Sequence, residues 1–431
     1  MQWQAPDTAQ AETTGQHTGF SELGVDARLV AVLASRGITE PFPIQRATMA
    51  DVLAGRDVLG RGRTGSGKTL GFGLPMLQRL AHHKRQQVPA GLILSPTREL
   101  AMQIADELAG LAQAVELSLT LVAGGMAYGP QLKAFERGVD VVVATPGRLI
   151  DLLEQGVVDL SQIKMTVLDE ADLMCDMGFY PDVTRIVDAT PNGQRLLFSA
   201  TLDDAVDRLV REYLHKPVTH EADVRAGSAM THHLLHIAGH HKNEVTAQLA
   251  TRAGQTLVFT RTQRGAERVA EQLREAGVLA GALHGGLTQG ARARVMRAFR
   301  ETKLPVLVAT DVAARGIHVD DVALVLQVDP PMGAKDYVHR AGRTARAGAH
   351  GTVISLVLPH QRKLMRRLTG QAKVNAEQLE VTPGCDELVE IIGGPIEHRE
   401  AVAESVYQEL VAPPKPHGRG RRRGAPRRSR R

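Results

Sequence analysis

The residues Gly62-Arg63-Thr64-Gly65-Ser66-Gly67-Lys68-Thr69 follow the pattern G-x-x-x-x-G-K-T. Glycines at this spacing let backbone N–H groups turn inward around phosphate oxygens. A helix starting at the end of such a loop aims its positive dipole end at the same oxygens. Arg63, Thr64, Gly65, Ser66 and Gly67 would form the cradle, Lys68 would reach the β- and γ-phosphates, and the Thr69 hydroxyl would ligate Mg2+. A second stretch suits the same reaction. Val167-Leu168-Asp169-Glu170-Ala171-Asp172 is an apolar run ending in three carboxylates. Asp169 would face the nucleotide's Mg2+ through water, and Glu170 would orient or deprotonate an attacking water.

Both stretches need strands to position them. The phosphate loop follows the run Asp57–Leu59 and leads into a helical pattern over Leu70–Leu80. Further apolar runs, rich in Val, Ile and Leu, occur at Gly91–Ser95, Leu117–Val122, Val139–Ala144, Met165–Leu168 and Arg195–Phe198. They are apolar on both faces, as buried parallel strands are, and helical patterns separate them. Phe20–Arg36 also has helical apolar spacing. A second set follows at Leu234–Ala238, Thr256–Phe259, Gly281–Leu283, Val306–Ala309, Leu324–Val328 and Thr352–Val357. The expectation is an α/β chain with two parallel-sheet domains, 19–221 and 232–370, joined by a linker at 222–231. The N-terminal 1–18 and the tail 411–431 are expected to be disordered, and 371–410 is left unassigned.

The chain has 431 residues, 43% of them hydrophobic, and a net charge of +5. No apolar run approaches the roughly 20 residues that span a bilayer, and 1–18 lacks a signal-peptide core, so a cytoplasmic protein without membrane contact is expected. Cys175 and Cys385 make neither a disulfide framework nor a metal cluster; Cys175 reads as a small core residue. Lys415 to Arg431 holds nine basic residues and no acid. That asymmetry points to a polyanion partner. Aromatic residues make up only 3% of the chain, which argues against base stacking as the main binding mode.

Several other segments follow strands, where α/β sheets bind ligands. Pro96-Thr97-Arg98-Glu99-Leu100, Gly124-Gly125 and Thr145-Pro146-Gly147-Arg148 offer hydroxyls, glycine N–H groups and arginine, suited to phosphates but not to base identity. Ser199-Ala200-Thr201 could bond the Asp172 carboxylate through its hydroxyls. In His339-Arg340-Ala341-Gly342-Arg343-Thr344-Ala345-Arg346, arginines at spacings of three would lie on one side of a helix.

Motif by motif and in order, Phe20 to Gly370 resembles the DEAD-box ATP-dependent RNA helicases, whose name Asp169-Glu170-Ala171-Asp172 spells. The resemblance implies two tandem RecA-like domains of the P-loop NTPase type, followed here by a disordered basic tail. It implies that Gln45, in Pro41-Phe42-Pro43-Ile44-Gln45, reads adenine while Phe20 stacks on the ring. Pro96, Thr97, Arg98, Gly124, Gly125, Thr145, Pro146, Gly147 and Arg148 would hold the RNA backbone, joined by Gln289, Arg292 and Thr310 from the second domain. Asp311 would belong to the nucleotide site. Asp172, Ser199, Thr201, His339 and Arg340 would couple ATP state to strand separation, and Arg343 and Arg346 would be arginine fingers on the γ-phosphoryl group. The implied cofactors are ATP and Mg2+; the implied partners are RNA and ribonucleoprotein or ribosome-assembly factors, met by a monomer.

The chain departs from the family pattern at Gly62 (usually Ala), at Leu173 (usually charged) and at His318 (usually Asp, with Asp320 or Asp321 as substitutes). Two other readings stay open, an ATP-gated RNA clamp with little turnover and a DNA helicase. Intact Glu170, Arg343 and Arg346 favour turnover, and Gln45 with Phe20 favours RNA over DNA.

Overall fold

The computed structural model describes residues 19–62, 66–82, 88–191, 193–221, 230–314, 322–344, 350–396 and 399–412. The loop residues Arg63, Thr64 and Gly65, the positions His318, Asp320, Asp321 and Arg346, most of the linker, the N-terminal 1–18 and the basic tail beyond 412 lie outside them. The described residues fall into two compact units, one reaching Glu221 and the other starting at Met230.

In the first unit, β1 (Val58–Arg61), β2 (Gly91–Leu94), β3 (Leu119–Val122), β4 (Val141–Ala144), β5 (Met165–Leu168), β6 (Gln194–Ser199) and β7 (Val218–Glu221) pair in the order β3-β4-β2-β5-β6-β1-β7. Every pairing is parallel. Parallel neighbours require crossovers, and helices on both faces bury the sheet twice. One core layer holds Leu29, Leu77, Leu108 and Phe198; the other holds Leu149, Met174, Ile186 and Leu209.

The second unit repeats the plan. Strands β8 (Met230–His236), β9 (Thr256–Thr260), β10 (Ala280–Leu283), β11 (Val306–Thr310), β12 (Leu324–Gln327), β13 (Gly351–Val357) and β14 (Glu377–Glu380) pair as β10-β11-β9-β12-β13-β8-β14, all parallel. Strands β9 to β13 are buried at every position, which is why their apolar runs are continuous in the sequence.

Two strands differ from expectation. Val218–Glu221 forms β7 at the end of the first expected domain, where no apolar run marks a strand, and the unassigned extension supplies β14. Both are edge strands in which half-buried positions alternate with exposed ones or are outnumbered by them, so neither carries an apolar run. The extension also adds helices at Asp386–Ile392 and Glu404–Val411. The second of these is tied to the body. Arg294 Nε donates to the Val411 carbonyl at 2.5 Å, and Arg274 lies 4.5 Å from the Tyr407 ring centre and 3.1 Å from Glu404. The second unit therefore runs past the expected end at 370. At the other end of the chain, the helix expected over Phe20–Arg36 is confined to Ala27–Ser35. Asp26 caps it by accepting from the Arg28 N–H.

Candidate nucleotide and nucleic-acid sites

In the first unit the helix Lys68–Ala81 follows the loop after β1, as the loop pattern requires. Gly67 caps it at φ +85, and a Cβ there would lie 2.5 Å from Gln45 Nε2 and 2.7 Å from the Phe42 ring. Only glycine fits both the left-handed backbone and this approach. Because β6 lies between β1 and β5 in the sheet, the ends of β1 and β5 face each other across one strand. Lys68 Nζ donates to Glu170 Oε1 at 2.8 Å and to the Gly62 carbonyl at 3.1 Å. Glu170 sits at φ 51, an uncommon backbone region for a residue with a side chain. Burial opposes the charge on Lys68, but the Glu170 and Asp169 carboxylates more than offset it and leave its pKa raised. Burial pushes Asp169 up to about 7, and the adjacent Glu170 charge adds to the effect.

Asp169 Oδ1 and Ser66 Oγ are buried without a hydrogen-bond partner in the protein. Unpartnered oxygens at a phosphate loop fit a hydrated cation and phosphate oxygens, since Mg2+ takes few protein ligands and shares the rest with phosphates and water. Thr69 is half-buried on the first turn of the same helix.

The base-reading pair needs correction. Phe20 is 2% exposed and packs in the core with Leu29 and Leu33, so its ring offers no face to a ligand. The aromatic ring exposed beside Gln45 is Phe42, at 47%. The proline on each side of Phe42 was the sequence signal, because it holds the segment extended at the start of the helix Pro43–Leu53. Gln45 is buried; its Oε1 accepts from the Phe42 N–H at 2.8 Å and its Nε2 donates to the Gly67 carbonyl at 2.9 Å. The amide thus ties the phosphate loop to Phe42.

The hydroxyl link to Asp172 is present, though Thr201 makes it. Its N–H and Oγ1 both donate to Asp172 Oδ2, at 2.9 and 2.8 Å. Ser199 Oγ instead accepts from the Asp172 N–H and donates to the Thr201 carbonyl.

The three segments expected to hold the RNA backbone follow the adjacent strands β2, β3 and β4. Arg98 donates to the Gly125 carbonyl at 3.4 Å, Gly124 N–H to Thr145 Oγ1 at 3.4 Å, and Arg148 Nη1 to the Met126 carbonyl at 3.1 Å. Thr97 caps the helix Arg98–Ala114. Pro96 and Pro146 are buried beneath, while Gly124, Gly125 and Gly147 are exposed. Arg148 departs from its expected role as an open phosphate contact. Its side chain is 9% exposed, 3.6 Å from Asp151, and stacked 4.0 Å from the Tyr128 ring centre.

In the second unit Arg340 is 2% exposed and binds Asp311 through two hydrogen bonds of 2.6 and 2.7 Å. It also reaches the Asp329 carbonyl at 2.8 Å and lies 5.0 Å from the Phe259 ring centre. The Asp311 carboxylate is therefore held by Arg340. Arg340 and Arg343 do not share a helix, and Arg346 lies outside the described residues. Ala334–Ala341 ends the helix at Gly342, because Thr344 draws the chain into a bridge with Val322. Arg343 follows that cap and is 8% exposed. His339, Arg340 and Arg343 line one small pocket with Phe259, Asp311, Ala314 and Asp336. Gln289 and Arg292 occupy the first turn of the helix Gln289–Arg300, capped by Thr288, and Thr310 is buried at the end of β11.

Comparisons with known proteins agree with this geometry. A DEAD/DEAH box helicase family model matches residues 42–209, and a Helicase conserved C-terminal domain model matches residues 241–348. A DEAD-box ATP-dependent RNA helicase 9 from Oryza sativa subsp. japonica is 38% identical over 84% of this chain; the chain spans 60% of that relative's length. The ATP-dependent RNA helicase DeaD of Mycobacterium tuberculosis is 36% identical, over 91% of this chain and 72% of its own length. Among solved structures, S. cerevisiae Dbp5 bound to RNA and ADP BeF3 superposes with a TM-score of 0.76 at 27% identity, covering 87% of this chain and 99% of that one. Two matching domain models, a bacterial relative aligned over most of both chains, and a phosphate loop facing Asp169-Glu170 place this chain in the DEAD-box ATP-dependent RNA helicase family.

Proposed function

We propose that the protein is an RNA-stimulated ATPase that couples hydrolysis to local RNA strand separation and ribonucleoprotein remodelling. The observation that carries this reading is the buried Lys68–Glu170 pair beside Asp169, at the end of a phosphate loop. In the nucleotide-free molecule Glu170 serves as the counter-ion of Lys68. ATP offers Lys68 a better partner in its β- and γ-phosphates, and the exchange frees Glu170 to hold the attacking water. Mg2+, held by Thr69 and by Asp169 through water, would neutralise charge on the same phosphate oxygens. Asp172 and Thr201 join the catalytic carboxylates to the strand end after β6, so a shift at the nucleotide is felt where the chain continues to β7.

RNA lies along the backbone-rich surface formed by Gly124, Gly125 and Gly147 in the first unit, and against Gln289 and Arg292 in the second. Closing on one strand requires that the closed state bind ATP and RNA better than the open state does. Arg343 and Arg346 then complete the ATP site. Steady-state ATPase with RNA, with DNA and with neither tests the reading. Stimulation by RNA alone is expected. Equal stimulation by DNA would favour a DNA helicase, and nucleotide-dependent RNA binding with no turnover would favour a clamp.

Gln45 uses one lone pair and one N–H to hold Phe42 and the phosphate loop; its second lone pair and second N–H read adenine, which Phe42 covers. Phe42→Ala and Gln45→Ala should each raise KM for ATP with little change in kcat, and Gln45→Ala should weaken discrimination against GTP. Phe20→Ala should act differently, costing about 3–5 kcal/mol of stability as a core cavity with KM unchanged in the folded fraction. Equal use of ATP and GTP by the wild type would remove the adenine-reading assignment.

A further inference from the structure

Among the described residues, two aromatic side chains are exposed, Phe42 and Tyr128. Phe42 lies at the adenine end of the nucleotide site; Tyr128 does not. It opens the helix Tyr128–Arg137 directly after the exposed Gly124-Gly125 segment, and the residue is 39% exposed. The surface around it is almost free of bulk. Gly124, Gly125, Ala127, Gly129, Pro130 and Gly147 are all exposed, and a Cβ added at Gly124, Gly129 or Gly147 would meet nothing within 4 Å. Tyr128 is therefore a large exposed side chain flanked by exposed glycines, alanine and proline.

The ring is also held in place. The Arg148 guanidinium stacks 4.0 Å from its centre, and the Tyr128 hydroxyl donates to Asp151, which lies 3.6 Å from Arg148 Nε. Arg148 is fixed in turn by the Met126 carbonyl. A ring backed by a cation and pinned at its hydroxyl loses little freedom when a ligand packs on it. Nothing in the core requires this arrangement, because the ring stays outside both hydrophobic layers.

We propose that Tyr128 is an RNA contact, stacking its open surface on a base of the bound strand at the place where the Gly124-Gly125 and Thr145–Arg148 segments meet. The proposal rests on the RNA-helicase reading and adds a stacking group to a surface otherwise suited to sugar and phosphate. Such a stack tolerates every base, since each has a π-face.

The test uses the full chain with a non-hydrolysable ATP analogue and a short single-stranded RNA. A matched RNA set carries one abasic nucleotide at each position in turn. Tyr128→Leu should weaken binding on the order of tenfold, within the roughly 5- to 150-fold range that base–aromatic stacking supports. Tyr128→Phe keeps the ring but loses the hydroxyl pin, and should bind between Tyr128→Leu and the wild type. At one position the abasic RNA should cost the wild type affinity and cost Tyr128→Leu nothing further. A role confined to bracing Arg148 predicts instead that the abasic penalty is the same in both proteins at every position, and that result overturns the stack. If Tyr128→Leu fails to fold, photocrosslinking of the wild type to 4-thiouridine RNA decides: an adduct on the Tyr128 peptide supports the contact, and adducts only elsewhere overturn it. Wild-type protein that binds no RNA would overturn the helicase reading itself, a result distinct from either.

Discussion

Lys68→Ala should abolish ATP binding, whereas Glu170→Gln should keep ATP and RNA bound and lose turnover by about 10²–10⁴. The two residues form one buried pair, so the contrast is informative. Removing Lys68 takes a point charge from the β- and γ-phosphates and leaves Asp169 and Glu170 together without a cation. Losing one partner of a buried pair typically costs about 3–5 kcal/mol, so nucleotide-free Lys68→Ala should also melt at a clearly lower temperature. Glutamine at 170 still presents an acceptor to Lys68, no longer holds it by charge, and cannot take a proton from water. ATP therefore has no ion pair to displace, and the affinity of Glu170→Gln should equal or exceed that of the wild type. Calorimetric titration with ATP, melting curves without nucleotide, and RNA-stimulated ATPase separate the cases. Near wild-type turnover in Glu170→Gln would remove the water-orienting role.

Much of this was legible before any coordinates. The interior strands are apolar on both faces, so β2, β4, β5, β9 and β11 to β13 stand out as runs, as does the buried edge strand β10, and each motif could be placed at a strand end. The edge strands β7 and β14 could not be found in that way, because their own positions alternate or face water and leave no run. The site was legible as residue types and less so as partners. Gly-Lys-Thr and Asp-Glu-Ala-Asp announce phosphate and metal chemistry through spacing alone. Whether an aromatic side chain is buried or open is set by packing from distant segments. Phe20 sinks beside Leu29 and Leu33, and nothing local to Phe20 decides it, while Phe42, held extended between two prolines, stays out. The same holds for Arg340. Its spacing from Arg343 suggested a shared helical face, but a bridge between Thr344 and Val322, over 20 residues apart in the chain, ends the helix first. Tertiary pairing overrode helical periodicity there.

That helix end bears on the second large effect. Arg343→Ala should lower RNA-stimulated kcat by roughly 10³ or more, the magnitude expected of an arginine finger on a transferring phosphoryl group. Arg346→Ala should behave alike. RNA binding without nucleotide and the melting temperature should change little in either. Arg340 is the control, because its guanidinium is spent inside the second unit on Asp311, Gln327 and the Asp329 carbonyl. Arg340→Ala strands a carboxylate and two acceptors, so it should lose activity by lowering stability. Arg343 follows the Gly342 cap, and a residue past a helix cap can turn toward a ligand without unwinding the helix. A kcat defect with an unchanged melting curve is what a finger predicts; a defect that follows the melting curve is what a brace predicts. The first unit alone, ending at Glu221, carries Lys68, Asp169 and Glu170 but none of these arginines. It should bind ATP and show no RNA-stimulated turnover. Full activity from that fragment, or Arg343→Ala turning over like the wild type, would leave the second unit without a catalytic part and return it to RNA holding.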